Sequence, residues 1–331
     1  MKIALDYISS ARIWRSSAPD TNTVKWGSRI RTLDGFVGNR CLKDLECLVR
    51  YYELQIPVKP LVNSMQARGK TKLSEPKLWS SPLATNSLYP LESLPDAPAS
   101  AEGAQIYVSS PEFCLLQAAA THELPQIILY GMEICSTFSL PLHAGDDLVD
   151  RVPLTSAKRI AAYIEHSEGS RGYRGAARAV PFILGGSASP MESKLAMKLV
   201  LPSRLGGMGF PAPILNYELP LSLLSAELAG KEKYRFDLWW PDASLVVEYD
   251  SEQEHMGRER IAKDSVRRNI IDYLELNLVT ITPSQLMHEE SFALAALEIA
   301  HRLGIRMRPP STAVQKARHE LNRQLFPWRY R

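Results

Sequence analysis

Cysteine is scarce in this chain: Cys41, Cys47, Cys114 and Cys135 are the four in 331 residues. They show neither a disulfide framework nor the paired short spacings of a zinc site, and so read as small buried hydrophobes. Long apolar runs are missing too. No stretch approaches the ~18 apolar residues that span a bilayer, and Met1 to Arg15 lacks the basic-then-apolar pattern of a secretory signal. The expectation is a cytoplasmic protein with no membrane association. No internal repeat is found, and the formal charge of +3 is too small to name a partner. What is present, 45% hydrophobic and 23% charged residues, is globular composition that excludes disordered and fibrous classes. The length suits two or three packed units.

Four regions are expected. Residues 1–100 form a region of unreadable role. It holds a helical stretch from Leu42 to Tyr52, then a proline-rich segment from Pro57 to Pro98 that favours short strands and loops; a protein partner is expected through this N-terminal region. Residues 101–186 begin with a strand near Ala104 to Val108. Ser110 with Pro111 then starts a helix, and further helices run from Ser156 to His166 and from Tyr173 to Leu184. Residues 187–304 read as a mixed α/β unit: a helix from Met191 to Leu201, an irregular glycine-rich link, two strands, a helix from Arg258 to Leu276, a strand from Leu278 to Ile281, and a helix from Ser284 to Leu303. Residues 305–331 carry Arg306, Arg308, Lys316, Arg318, Arg323, Arg329 and Arg331 against Glu320 alone, with Phe326, Trp328 and Tyr330 interleaved. Such a tail suits a polyanion, or equally a solvated helix face.

The chemistry concentrates in one hairpin. Pro241-Asp242-Ala243-Ser244 is a turn between the β-prone runs Tyr234 to Trp240 and Leu245 to Asp250. Centring the turn between Asp242 and Ala243 places Asp237 directly across from Glu248. Alternation puts Phe236, Leu238, Trp240, Leu245, Val247 and Tyr249 on one apolar face and Arg235, Asp237, Glu248 and Asp250 on the other. Opposed Cβ atoms sit roughly 4.5–5.5 Å apart, and two charges ~5 Å apart at an effective dielectric of ~20 repel by about 3 kcal/mol. A cation or a proton must relieve that repulsion. Oxygen-only ligands favour Mg²⁺ or Mn²⁺, and the matching reaction is phosphodiester hydrolysis, with the ion polarising the phosphate and activating water. The plain alternative is a solvated face on which Arg235 and nearby lysines pair with the acids. Asp242 lies at the turn tip, on the order of 20 Å along the strand from Glu248, and is expected to be a turn residue only.

The spacing of Asp237, Glu248, Asp250 and His255, followed by Asp264 and Arg268 on the next helix, resembles the very-short-patch-repair endonuclease superfamily, within the PD-(D/E)XK restriction-endonuclease-like nucleases. The resemblance covers roughly Ser187 to Gln285. It implies an α/β fold with a restriction-endonuclease-like mixed-sheet core and flanking helices, here preceded by an α+β N-terminal region. It further implies a Mg²⁺- or Mn²⁺-dependent endodeoxyribonuclease or nickase, in repair or in a phage-defence or toxin–antitoxin context. Residues 105–180 more weakly resemble bacterial proteins that join such a domain to an AbiEi-like antitoxin region.

On that resemblance Asp237, Glu248 and Glu192 hold the metal, Asp250 assists, and His255 or Lys263 activates water or stabilises the leaving group. The sequence departs from the pattern at Glu248-Tyr249-Asp250, which lacks the lysine of a Glu-x-Lys site; Lys263 is the substitute charge. Ser189 and Glu192 also read as an N-terminal capping box, which explains Glu192 without chemistry. Arg235, Arg260, Arg267 and Arg268 are expected to contact nucleic-acid phosphates, with DNA the expected partner and RNA a further class. The rival expectation is a non-catalytic nucleic-acid-binding regulator that keeps the nuclease fold.

Overall fold

A computed structural model of the chain describes residues 2–4, 10–11, 14–15, 88–90, 105–141, 147–221, 232–250 and 268–330. These belong to two units, Met1–Ile183 and Leu184–Arg331, each with its own core. The expected helix of residues 42–52, most of the proline-rich segment, Cys41, Cys47, and the first part of the helix expected from Arg258 lie outside the described residues.

In the first unit, β1 (Lys2–Ala4) pairs parallel with β3 (Gln105–Ser109), and β2 (Leu88–Pro90) pairs antiparallel with the same strand. Helix α1 (Pro111–Ala118) starts where Ser110 Oγ accepts from the Phe113 N–H, with proline in the first turn where no amide is needed. After α2 (Leu124–Ile134), the short pair β4 (Phe138–Ser139) and β5 (Val149–Asp150) precedes α3 (Ala157–Glu165), which Ser156 caps, and α4 (Tyr173–Ala179). Gly172 opens α4 at φ +90°, and a Cβ there would lie 2.0 Å from the Leu116 carbonyl oxygen. A short helical turn at residues 14–15 is fastened to this unit by polar contacts: Arg15 forms a two-pronged ion pair with buried Glu133 at 2.7 and 2.8 Å, and the Trp14 indole N–H donates to the Ser109 carbonyl.

The second unit opens with α5 (Pro190–Val200), capped by Ser189. A four-stranded mixed sheet follows in the order β6 (Ile214–Pro220), β7 (Lys233–Trp240), β8 (Leu245–Tyr249), β9 (Asn277–Ile281). The first two junctions are antiparallel and the last is parallel. Strand β6 corrects the expectation of an irregular link: its cluster of prolines and glycines ends at Pro213, and Ile214 onward pairs with β7. The helix expected over Ser284 to Leu303 is two, α6 (Pro283–Met287) and α7 (Glu289–Arg302), broken where His288 takes an extended backbone. The chain ends in α8 (Thr312–Leu325), whose Leu321, Leu325 and following Phe326 are buried.

The hairpin turn is a 3-10 turn at Pro241–Ala243 closed by Ser244 at φ +46°. Its register pairs Trp240 with Leu245, Trp239 with Val246 and Leu238 with Val247, as the turn chemistry requires. The single apolar face is corrected. Trp239 and Val246 are buried in a cluster with Tyr234, Phe236, Ile270 and Ile271, while Leu238, Leu245 and Val247 are also fully buried and α5 packs on β7 and β8. Both faces of the hairpin are therefore covered, as the parallel partner β9 and its crossover helix require.

The pleat also changes phase. Phe236, expected beside Leu238, instead packs with Trp239, ring centroids 5.5 Å apart. On β6 the same change falls at Asn216, which has φ +48° and is missing from an otherwise continuous ladder, opposite Asp237. Two adjacent strands thus switch phase at one level.

Residues 268–273 are helical and end in a left-handed cap. Glu275 stands at φ +54°, its N–H donating to the Asp272 carbonyl and that of Leu276 to Ile271. This cap turns the chain into β9. Ile270 and Ile271 pack against the sheet residues of the cluster, whereas Tyr273 is 55% exposed. It occupies the last turn, and the cap brings Leu274 and Leu276 against the cluster instead.

Candidate functional site

Asp237 sits where β7 changes phase, half-buried, and its Oδ2 accepts from the Tyr249 backbone N–H at 2.8 Å. That contact fixes the carboxylate against the backbone between Glu248 and Asp250. The β7–β8 ladder ends with Leu238 opposite Val247, and Asp237 and Glu248 are the next residues of their strands beyond that last pair. Glu248 is 2% exposed, level with Thr280 of β9, whereas Asp250 is half-buried at the end of β8, its N–H donating to the Ile281 carbonyl. The row therefore has a buried acid flanked by two with solvent access.

Glu192 reaches the same level from α5. The Ser189 Oγ accepts from the Glu192 N–H at 3.2 Å, which is one limb of the expected capping box. The other limb goes further back: Glu192 Oε2 accepts from the Ala188 N–H at 2.8 Å and from the Asn216 side-chain amide at 2.7 Å. Asn216 is the residue opposite Asp237, so the glutamate is tied to the row by a side chain that sequence reasoning missed. A lone asparagine in a stretch read as a loop gave no signal of that role.

Among the described residues, no three His, Cys, Asp or Glu side chains converge closely enough to hold a metal ion by themselves. The donor chemistry nonetheless fits a small divalent cation, because Mg²⁺ typically takes one or two carboxylates and completes its shell with water and phosphate oxygens. His255, Arg260, Lys263, Asp264 and Arg267 lie outside the described residues.

The surrounding charges are distributed as follows. Arg235, expected either to neutralise the acids or to contact phosphate, pairs with Glu218 on β6 at 3.1 Å, and Lys233 joins it at 2.5 Å. These two cations hold the Glu218 carboxyl below its ordinary range. Arg268 is exposed at the start of the described helical segment, and Asp242 is an exposed turn residue. In the C-terminal segment Phe326 is fully buried against Trp328, and Lys194 stands 4.4 Å from the Trp328 ring. Phe326 is therefore core rather than a stacking surface. Arg323 pairs with Glu320, while Arg306, Arg308 and Lys316 are exposed.

Lys198, on α5 below Glu192, is buried, and its ammonium donates to the Leu286 carbonyl at 2.6 Å and to Asn322 Oδ1 at 2.9 Å, with the Phe292 ring 4.1 Å away. Burial pulls its pKa down to about 7. This lysine pins α5 to α6 and α8.

No protein-family model and no solved structure matches the chain. Two proteins of Mycobacterium tuberculosis are similar to it: Uncharacterized protein Rv2248 (strain ATCC 25618 / H37Rv) and Uncharacterized protein MT2308 (strain CDC 1551 / Oshkosh). Each is 28% identical over 126 residues, which is 38% of this chain and 42% of the relative's length. The match thus spans less than half of either relative. No helix among the described residues is long and apolar enough to cross a membrane.

Proposed function

We propose that the second unit is a restriction-endonuclease-like domain that hydrolyses DNA phosphodiesters with Mg²⁺ or Mn²⁺. The observation that supports this reading is the Asp237 carboxylate anchored on the Tyr249 N–H, between Glu248 and Asp250, at one end of a buried hairpin. Asp237 together with Asp250 or Glu248 would hold the ion, water and phosphate oxygens completing its shell, with Asp250 better placed than Glu248 to reach an ion arriving from solvent. The ion supplies charge neutralisation at the phosphate and a more acidic water. The protein contributes a fixed donor geometry. His255, Lys263 and Glu192 are the proposed proton-handling and supporting groups, with Arg268, Arg260 and Arg267 toward phosphate and Arg235 kept on Glu218. Loss of Asp237 or Asp250 by the conservative change to Asn is expected to reduce metal-dependent cleavage beyond the roughly 10–100-fold that loss of a mere supporting partner costs. Incubating the full chain and each variant with duplex, nicked and single-stranded DNA in Mg²⁺, Mn²⁺ or EDTA measures this, and undiminished cleavage by both variants removes the assignment.

A second reading, a non-catalytic DNA-binding regulator on the same fold, draws on the Glu248-Tyr249-Asp250 sequence, which lacks the third-motif lysine, and on the structural use of Asp237 and Glu192 as hydrogen-bond acceptors. DNA binding that is the same in EDTA and Mn²⁺, with no product in either, is its expected signature.

A further inference from the structure

We infer that Trp328 and Lys194 form a binding site for an unpaired nucleotide of a nucleic-acid strand, its base stacked on the indole and its phosphate drawn to the cations around it. The inference stands apart from the metal reading, because it uses none of the acids of the hairpin. Trp328 lies in a 3-10 turn, Pro327–Tyr330, directly after α8 and is 54% exposed. It is nevertheless held in place. The fully buried Phe326 ring meets it at 88° with centroids 5.6 Å apart, and the Lys194 ammonium of α5 stands over the indole, 4.4 Å from its centroid and 5.1 Å from that of Phe326. A wide apolar ring is thus fixed at the surface, with an ammonium on one face and solvent against much of the rest.

The charge about this ring pair is one-sided. Lys194 has no carboxylate partner among the described residues, and burial alone draws its pKa down to about 8. Arg329, next to Trp328 in the chain, donates to the Met287 carbonyl, a neutral acceptor that leaves its charge uncancelled. Buried Lys198, 5.8 Å from the Phe326 ring centroid, likewise meets a carbonyl and an amide oxygen, and it feels the repulsion of Arg318 and Arg329. Arg318 Nε is buried with no hydrogen-bond partner among the described residues. Glu289, the acid that acts on Lys198, is itself bonded to His319 at 3.0 Å. Like charges gathered around a flat aromatic surface suit a phosphate that arrives with its base. Bases in a duplex are already stacked and paired, so the base that reaches Trp328 is an unpaired one.

Fluorescence anisotropy of the full chain in EDTA, where no metal-dependent cleavage intrudes, tests this with a labelled oligothymidylate, an oligouridylate of the same length and a duplex of that length. The wild type is expected to favour both single strands over the duplex, since the site reads base and phosphate and not the sugar. Trp328→Leu keeps apolar bulk against Phe326 but removes the flat ring. It is expected to bind the single strands roughly 5–100-fold more weakly with its duplex affinity unchanged, and Trp328→Phe to recover most of that loss. Lys194→Met keeps the packing stem, weakens binding and lowers the slope of log affinity against log salt by about 0.7. Wild-type affinity for the single strands in Trp328→Leu overturns the site, as does a wild type that holds the duplex as tightly as the single strands. If leucine lowers the melting temperature enough to blur its result, Lys194→Met decides: an unchanged salt slope overturns the site. None of these outcomes touches the cleavage reading, which the hairpin variants test in Mg²⁺ and Mn²⁺.

Discussion

Single residues in this chain hold conformations that their side chains do not favour, and the reason differs from place to place. Glu275 adopts φ +54° solely to cap the helical segment before β9, where its N–H and that of Leu276 close the last turn. Glycine meets that need without the Cβ clash, so Glu275→Gly is expected to raise stability by about 0.5–1 kcal/mol, read from the midpoint of urea unfolding. Asn216 has the same backbone, but its side-chain amide donates to Glu192, so glycine there trades relieved strain against a lost hydrogen bond. Gly172 is the opposite case: a methyl group would meet the Leu116 carbonyl oxygen at 2.0 Å, and φ +90° is already unfavourable for any L side chain. Gly172→Ala is therefore expected to cost more than ~1 kcal/mol. Much of this scale was readable in advance. Ser110 and Ser189 announced their helices, and the Pro241-Asp242-Ala243-Ser244 turn fixed the hairpin register from Trp240 and Leu245 out to Leu238 and Val247. Left-handed Asn216 and Glu275 were not readable, because their backbones answer to neighbours that sequence order does not reveal.

Elements pack through contacts that are remote in sequence, which is why their positions were less legible than their identities. The turn carrying Arg15 meets Glu133 across 118 positions, a pairing that no local pattern encodes. The C-terminal helix α8 was read as a basic tail or a solvated face, yet it is buried through Leu321, Asn322 and Leu325, with Asn322 taking the Lys198 ammonium. That ammonium is pulled to about 7 by burial, although Glu289 favours the charged form; Arg318 and Arg329 oppose it, and the Phe292 and Phe326 rings face it. In the unfolded chain the same lysine titrates near its ordinary value of 10.5. Between about pH 7 and pH 10 the unfolded state then binds more protons at this residue than the folded state does, so stability rises with pH through that window. Below pH 7 both states carry the charge and the dependence vanishes. The predicted outcome is that the unfolding free energy of the wild type, relative to Lys198→Met, grows as pH is raised from 7 to 10; a flat difference across that range would show that the ammonium stays charged on its carbonyl partners.

At the scale of the whole molecule, two units with separate cores carry different expectations. Met1–Ile183 contains none of the proposed metal-holding acids, while Leu184–Arg331 contains all of them. A ligand that binds only the native form raises stability by RT ln(1 + [L]/Kd), about 2.7 kcal/mol at a hundredfold excess over Kd. Calorimetry of the full chain is thus expected to show two transitions, of which Mn²⁺ shifts one upward and leaves the other in place. Because Glu248 is nearly sealed from solvent, Glu248→Gln has a double effect in that experiment: without metal it replaces a buried carboxylate by a neutral amide and raises the responsive transition, and with metal it removes a donor and lowers the shift. The two signs together distinguish an ion-holding row from a buried acid kept for packing. A packing role predicts that the glutamine variant melts lower in both conditions, with the Mn²⁺ response of the wild type absent from the start.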